Sequence, residues 1–242
     1  MPDCRWVEAG WVSRASTAGL ETVDAEVLPV RKELYMMQPK HQASLSVQEA
    51  IETRRSVRAY LPDPIDRADL EEIIRLASLA PSALNLQPWR FYVVVDPDVR
   101  RQIQAAAPGQ PQVGQAPALI LVASDMEDTL AHVEDVLHPS LSPELRERRL
   151  RMIQEGLGTL SVAERAQRGV PDARIALGFL LLAARAMGYA TVPMTGFDHD
   201  QVRQIVNLPD HVRFAAMVAI GRPAEEGLPH HRLPLDRILK FI

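Results

Sequence analysis

The stretch from Pro171 or Asp172 to Met187 carries apolar residues on nearly every helical face, which constrains the fold more than any other feature of the chain. A helix of that kind has to be buried inside a larger body. Pro171 or Asp172 supplies its start and Gly188 its stop. The most apolar part, Ile175 to Tyr189, is too short to cross a bilayer and carries Arg185. Three other runs read as strands. Arg90 to Asp96 (RFYVVVD) is β-branched and aromatic, Ala118 to Ser124 (ALILVAS) is almost continuously apolar, and Phe214 to Ile220 (FAAMVAI) is similar.

Helical signals separate these runs. Ser46-Val47-Gln48-Glu49 reads as a capping box. Asp66 caps a helix whose Leu70, Ile73, Ile74, Ala77 and Ala80 share one face, with Pro81 as its end. Pro97-Asp98 starts another helix, and Asp200 to Val206 forms a short one. Glu127 to Gly169 is charge-rich and helical in part, with a break near His138 to Pro143. Strands separated by helices, together with the apolar helix, indicate one α+β domain over residues 46–242. Residues 1–45 show neither periodicity and are expected to be an N-terminal extension, with Met36 and Met37 as alternative starts.

Charge and composition exclude several function classes. With a net charge of −4, the chain has no global basic field for nucleic acid or an anionic membrane, so any anion site must be a local cation cluster. The single cysteine, Cys4, rules out an intrachain disulfide and a thiolate metal cluster, and a reducing cytoplasm is the simplest compartment. Asp3, Glu8, Glu21, Asp24 and Glu26 interrupt any signal-peptide pattern. His132, His138, His199, His211, His230 and His231 lack the spacing of a metal set, so no metal is expected. There is no Rossmann glycine fingerprint after a strand. Gly109 and Gly114 do not make a phosphate loop, because Gln115 stands where Lys is needed.

Four segments carry candidate chemistry. In Arg54-Arg55-Ser56-Val57-Arg58, three guanidinium forks and a hydroxyl could hold a phosphate. On spacing alone, a solvated basic helix end is the preferred reading. Pro81-Ser82-Ala83-Leu84-Asn85-Leu86-Gln87-Pro88-Trp89 is a proline-framed loop offering directed hydrogen bonds, or else a plain helix-to-strand connector. Pro193-Met194-Thr195-Gly196-Phe197 holds a glycine that allows close approach to a flat ligand, or is a simple turn. Leu228-Pro229-His230-His231-Arg232-Leu233-Pro234 could close an anion site, or be an exposed basic loop.

In order, type and spacing these four segments resemble the nitroreductase superfamily, over roughly Ser46 to Ile242. The resemblance implies an α+β nitroreductase-like fold: a central, mainly antiparallel sheet flanked by helices, in a domain-swapped-type homodimer with a C-terminal extension. It implies FMN at the dimer interface. Arg54 and Ser56, with Arg55 adjacent, would take the phosphate and ribityl end, and Arg58 the pyrimidine edge, where reduction places negative charge. Pro81, Ser82, Ala83, Asn85 and Gln87 would come from the partner subunit. Pro193, Met194, Thr195 and Gly196 would lie by flavin N5, and Arg232, with His230, would close the phosphate site. A Glu often stands at the place of Thr195 and a Lys at that of His230.

The activity implied is ping-pong transfer from NADH or NADPH to a small flat acceptor such as a nitroaromatic or quinone, with no protein nucleophile. The alternatives are a flavin-cleaving or dehalogenating enzyme of the same fold, and a non-catalytic FMN carrier or sensor. The segment from Glu127 to Gly169 lies where such families place a substrate-choosing lid. Neither nucleic acid nor a membrane is expected as a partner.

Overall fold

The structure, a computed structural model, describes residues 45–242. Apart from Leu45, the expected N-terminal extension lies outside the described residues. The capping box is formed: the Glu49 N–H donates to Ser46 Oγ at 3.2 Å and the Ser46 N–H to Glu49 Oε2 at 2.8 Å, opening α1 (Val47–Thr53). Helix α2 (Arg67–Ala77) buries Leu70, Ile73 and Ala77 and ends before Pro81 is reached; Asp66 precedes it without a side-chain cap bond. A single 3-10 turn, Ala83–Asn85, leads to β1 (Trp89–Val94). Asp96 caps α3 (Pro97–Ala105), accepting from the Asp98 and Val99 N–H groups, and α4 (Gln112–Gln115) is one turn.

Strand β2 (Ala118–Ser124) is buried throughout, as its unbroken apolar sequence requires. The charge-rich region then forms α5 (Met126–Ala131), α6 (Pro143–Gly158) and α7 (Val162–Arg168). The apolar helix α8 (Val170–Ala186) is followed by Gly188, whose φ of +83° only glycine adopts without strain. After it come β3 (Ala190–Met194), α9 (His199–Ile205), β4 (Arg213–Gly221) and the short α10 (Leu235–Ile238).

The sheet runs β1-β2-β4-β3 with every neighbouring pair antiparallel. The two most apolar strands, β2 and β4, are therefore the inner ones. Alternation divides their side chains between two faces. Ile120, Val122, Val218 and Ile220 pack on α2 and α8. Leu119, Leu121, Met217 and Ala219 pack with Ile103 of α3 and Val202 of α9. A third cluster joins Leu86 to Met126, Val133, Leu137, Ile153 and Leu157.

Two expectations change. Helix α8 is not covered on all sides: Ala173, Ala176, Leu180 and Ala184 are buried, whereas Ile175 and Phe179 are each 42% exposed. Strand β3 was not foreseen, because Pro193 cannot donate to a ladder. Its place at the sheet edge tolerates that missing N–H.

Gly169, between α7 and α8, is buried where a Cβ would strike Ser124 Oγ and stand 2.8 Å from Met126 Cγ. The Ser124 hydroxyl has no hydrogen-bond partner among the described residues. Gly169→Ala should therefore lower stability by roughly 1–3 kcal/mol through overpacking. Ser124→Ala should be neutral or stabilising, and should relieve part of the Gly169→Ala loss in the double variant. Chemical denaturation of the three variants checks this.

Candidate functional site

The site is set by the path of residues 54–61. After α1 the chain runs beside β3, with a parallel bridge from Ser56 to Thr191 and a Val57 N–H to Thr191 O bond of 3.3 Å. Further along it pairs with the segment after β4: the Leu61 N–H donates to Arg222 O and the Ala224 N–H to Ala59 O, both at 2.9 Å. Tyr60 is the anchor, its hydroxyl 2.6 Å from Val57 O and 3.1 Å from Ala219 O. Burial pushes that phenol well above its usual range.

This path brings Arg54, Arg55, His230 and Arg232 together. Arg54 and Arg55 line a cleft of about 580 Å³ with Thr53, Arg185, Tyr189 and Glu226. One guanidinium nitrogen of Arg54, Nη1, is buried with no acceptor among the described residues. Burial first, then the charges of Arg232 and Arg55, hold the Arg54 pKa below the ordinary arginine value. A guanidinium nevertheless stays charged. Convergent cations with an orphaned donor are what an anion site requires, although Glu225 and Glu226 line the same cleft.

Arg55 is differently occupied. Its Nη1 donates to the carbonyls of Glu52 (2.7 Å) and Arg54 (3.0 Å), closing the end of α1. His230 Nε2 lies 2.7 Å from Arg54 O. The same Nε2 is 3.1 Å from Arg55 Nη1, so His230 sits between the Arg54 carbonyl and the Arg55 guanidinium and, in the tautomer protonated at Nε2, donates to Arg54 O. At the far wall, burial and a 2.5 Å hydrogen bond to Asp69 raise the Tyr189 phenol to about 12.

Arg58 and Pro193–Gly196 meet in a second, open groove, together with Gly109, Gln110, Pro111 and Gln112. Thr195 and Gly196 are exposed there. The Arg58 N–H donates to Glu225 Oε1 at 2.7 Å. Residues 109–112 were missed as site residues. Their signal was present, since Gly-Gln-Pro-Gln is a rigid loop bearing amides, the same logic that singles out Asn85 and Gln87.

Pro81–Gln87 lines neither of these cavities. Three non-glycine residues there, Leu84, Asn85 and Gln87, have φ of +54°, +60° and +47°. The loop is pinned by four bonds: Gln87 N–H to Ser82 Oγ (3.0 Å), Ala83 N–H to Asp172 Oδ2 (3.2 Å), Asn85 Nδ2 to Val136 O (2.7 Å) and Gln87 Nε2 to Asn85 O (3.3 Å). Strain so firmly held marks a surface built for contact. Among the described residues, no three His, Cys, Asp or Glu side chains are grouped to hold a metal, and no helix is long and apolar enough to cross a membrane.

The Nitroreductase family profile matches residues 51–222. An NADH dehydrogenase of Thermus thermophilus is 44% identical over 195 residues, covering 81% of this chain and 95% of its own. An FMN reductase (NAD(P)H) of Bacillus subtilis is 29% identical over 192 residues, 78% of this chain and 71% of its own. A crystal structure from Exiguobacterium sibiricum, described as a nitroreductase in complex with FMN, aligns at a TM-score of 0.76 and 28% identity, covering 84% of this chain and all of that one.

The cation cluster has a direct test. Inorganic phosphate should raise the thermal stability of the wild type, by about 1.4 kcal/mol at ten times its Kd. Arg54→Met should abolish that gain. Without phosphate the variant should be no less stable than the wild type, because an unpaired buried donor and mutual repulsion are both removed.

Proposed function

The chain belongs to the nitroreductase family, and on that premise we propose that it is an FMN-dependent oxidoreductase, oxidising NADH or NADPH and reducing a small flat acceptor. The observation that carries this reading is the layout of residues 54–58. The partly buried Arg54, with its orphaned Nη1, sits at one end in the cationic cleft, and Arg58 opens onto the groove under Thr195 and Gly196 at the other. Such a span suits a ligand with a phosphate at one end and a flat heteroaromatic at the other.

Bound FMN would supply the two-electron chemistry, since no catalytic triad or metal is needed. The residues of this chain would bind and orient it. Arg54 and Arg232 hold the phosphate, with Ser56 toward the ribityl chain. Arg55 and His230 act behind them, bracing the Arg54 backbone. Arg58 offers a fixed positive charge where reduction builds negative charge on the pyrimidine edge. Pro193 and Met194 form the floor, and a backbone N–H at Thr195 or Gly196 faces N5. With Thr195 in place of an acidic side chain, acceptor binding at this point relies on backbone and hydroxyl donors.

The working unit in this reading is a homodimer, with Pro81, Ser82, Ala83, Asn85 and Gln87 completing the partner's cofactor site. Its support is the apolar surface one protomer leaves open. Ile175 and Phe179 on α8 are exposed, and in the C-terminal segment so are Leu235, Ile238 and Phe241, the last at 93%. Exposed groups of that size lose their hydration cost on association.

Purified protein should be yellow, and anaerobic NADH or NADPH should bleach it. Added nitroaromatic or quinone should restore the colour, and steady-state plots should be parallel, as ping-pong exchange requires. Protein that takes up no FMN would sink the proposal, and flavin that neither nicotinamide bleaches would point to a carrier. Phe179→Arg should halve the mass in sedimentation and weaken FMN binding by about tenfold or more, as loss of a partner's contacts implies.

A further inference from the structure

We propose that Gln110 is a positioning residue, fixing the Thr195–Gly196 turn so that its backbone N–H is presented to the flavin; this rests on the flavin reading above. The turn lies between two anchors. Upstream, Met194 ends β3 opposite Met217, and the buried Gln112 donates from Nε2 to Met194 Sδ at 3.1 Å. Downstream, the Asp198 N–H donates to Ala106 O at 2.8 Å, and Asp198 caps α9. Between them Thr195 and Gly196 are exposed and have left the sheet.

Packing does not hold this stretch. A Cβ placed on Gly196 would meet one non-neighbouring heavy atom within 4 Å among the described residues, Gln110 Nε2 at 3.7 Å. Glycine is the residue most free to rotate, so an unrestrained Gly196 would let the peptide planes on either side of it swing. Among the described residues the restraint is one hydrogen bond, Gln110 Nε2 to Gly196 O at 2.6 Å, which fixes the Gly196–Phe197 peptide and, through Gly196, one end of the adjoining Thr195–Gly196 amide. Because a carbonyl only accepts, the amide must present its NH₂ side. The Gln112 NH₂, 3.5 Å from Gln110 Oε1, favours that orientation.

Gln110 is itself held. Its N–H donates to Ala107 O at 3.2 Å, Gly109 turns the chain with φ +74°, and Pro111 follows. One segment, residues 106–112, therefore secures the turn at Met194, Gly196 and Asp198, and Gln110 is the contact at its exposed centre. An N–H aimed at the reacting atom is effective only when it need not reorient, so Gln110 would act on the rate without touching the phosphate end.

Two variants separate hydrogen bonding from bulk. Gln110→Met keeps the length and loses the donor. Gln110→Glu keeps the shape and sets a carboxylate against the Gly196 carbonyl. Gln110 is a half-buried loop residue, so both should fold. In the flavin-free protein, amide hydrogen exchange at Asp198, whose N–H is bonded to Ala106 O at the end of the turn, should quicken in both. With FMN added, affinity should stay within about threefold of wild type, because the phosphate contacts are untouched. The visible flavin band should shift, and anaerobic bleaching by nicotinamide should slow by about tenfold or more, further in Glu than in Met.

Exchange, spectrum and bleaching all matching wild type would overturn the proposal and leave the flavin reading standing. A fall in FMN affinity as large as that of Arg232→Ala would also overturn it, by making Gln110 part of the binding site. Wild-type protein that binds no FMN would overturn both, and that result precedes any variant.

Discussion

Backbone hydrogen bonds at a sheet edge must go somewhere, and much of the site depends on where those of β3 go. One of them, at Thr191, is met by Val57, and the segment goes on to pair with Arg222 and Ala224 through Leu61 and Ala59. A segment bonded at both ends has little freedom. Along a chain pairing as a strand, neighbouring side chains point to opposite sides, so Val57 is buried while Arg58 stays exposed. The Tyr60 hydroxyl locks the register from beneath. Arg54 and Arg58 are thus placed by backbone pairing, a firmer means than side-chain contact, and their two cavities are connected through the same few residues.

The two readings open to the basic run, a helix end and a phosphate site, fall to adjacent residues in the proposed function. Arg55 does the helix-end work, giving its guanidinium hydrogens to the carbonyls that α1 leaves unpaired. Arg54 is left with a buried nitrogen and two like charges nearby. An orphaned donor of this kind costs about 1–3 kcal/mol, a cost that packing alone does not recover and an arriving anion does. In the proposed reading the destabilised group and the binding group are the same one.

How far the sequence could be read follows from what each element buries. β2 and β4 announce themselves because each buries an unbroken apolar run, and α8 because its apolar residues are so dense. β3 does not, since its edge position admits a proline that strand patterns reject. The sidedness of α8 is invisible for a related reason: apolar periodicity reports burial without saying whether the cover belongs to the same chain. In the proline-framed loop, Asn85 tolerates a left-handed backbone, but Leu84 and Gln87 carry no such signature. Gly109–Gln112 could be compared with a phosphate loop and rejected, yet its role depends on lying against Gly196, which only the fold arranges.

That strained loop also changes the meaning of the charge-rich region. Each left-handed non-glycine residue costs of order 1–3 kcal/mol and persists only where its surroundings over-determine it. Here they do. Leu86 is buried against Met126, Val133, Leu137, Ile153 and Leu157, Asn85 bonds to Val136 O, and Ala83 bonds to Asp172 at the start of α8. The helices carrying those residues display Arg and Glu outward but bury an apolar seam beneath the loop. The resemblance places a substrate-choosing lid in this segment. Its packing adds a second role, in which α5, α6 and the residues between them buttress Ser82, Ala83 and Asn85, so a substitution in this seam would reach the loop through Leu86.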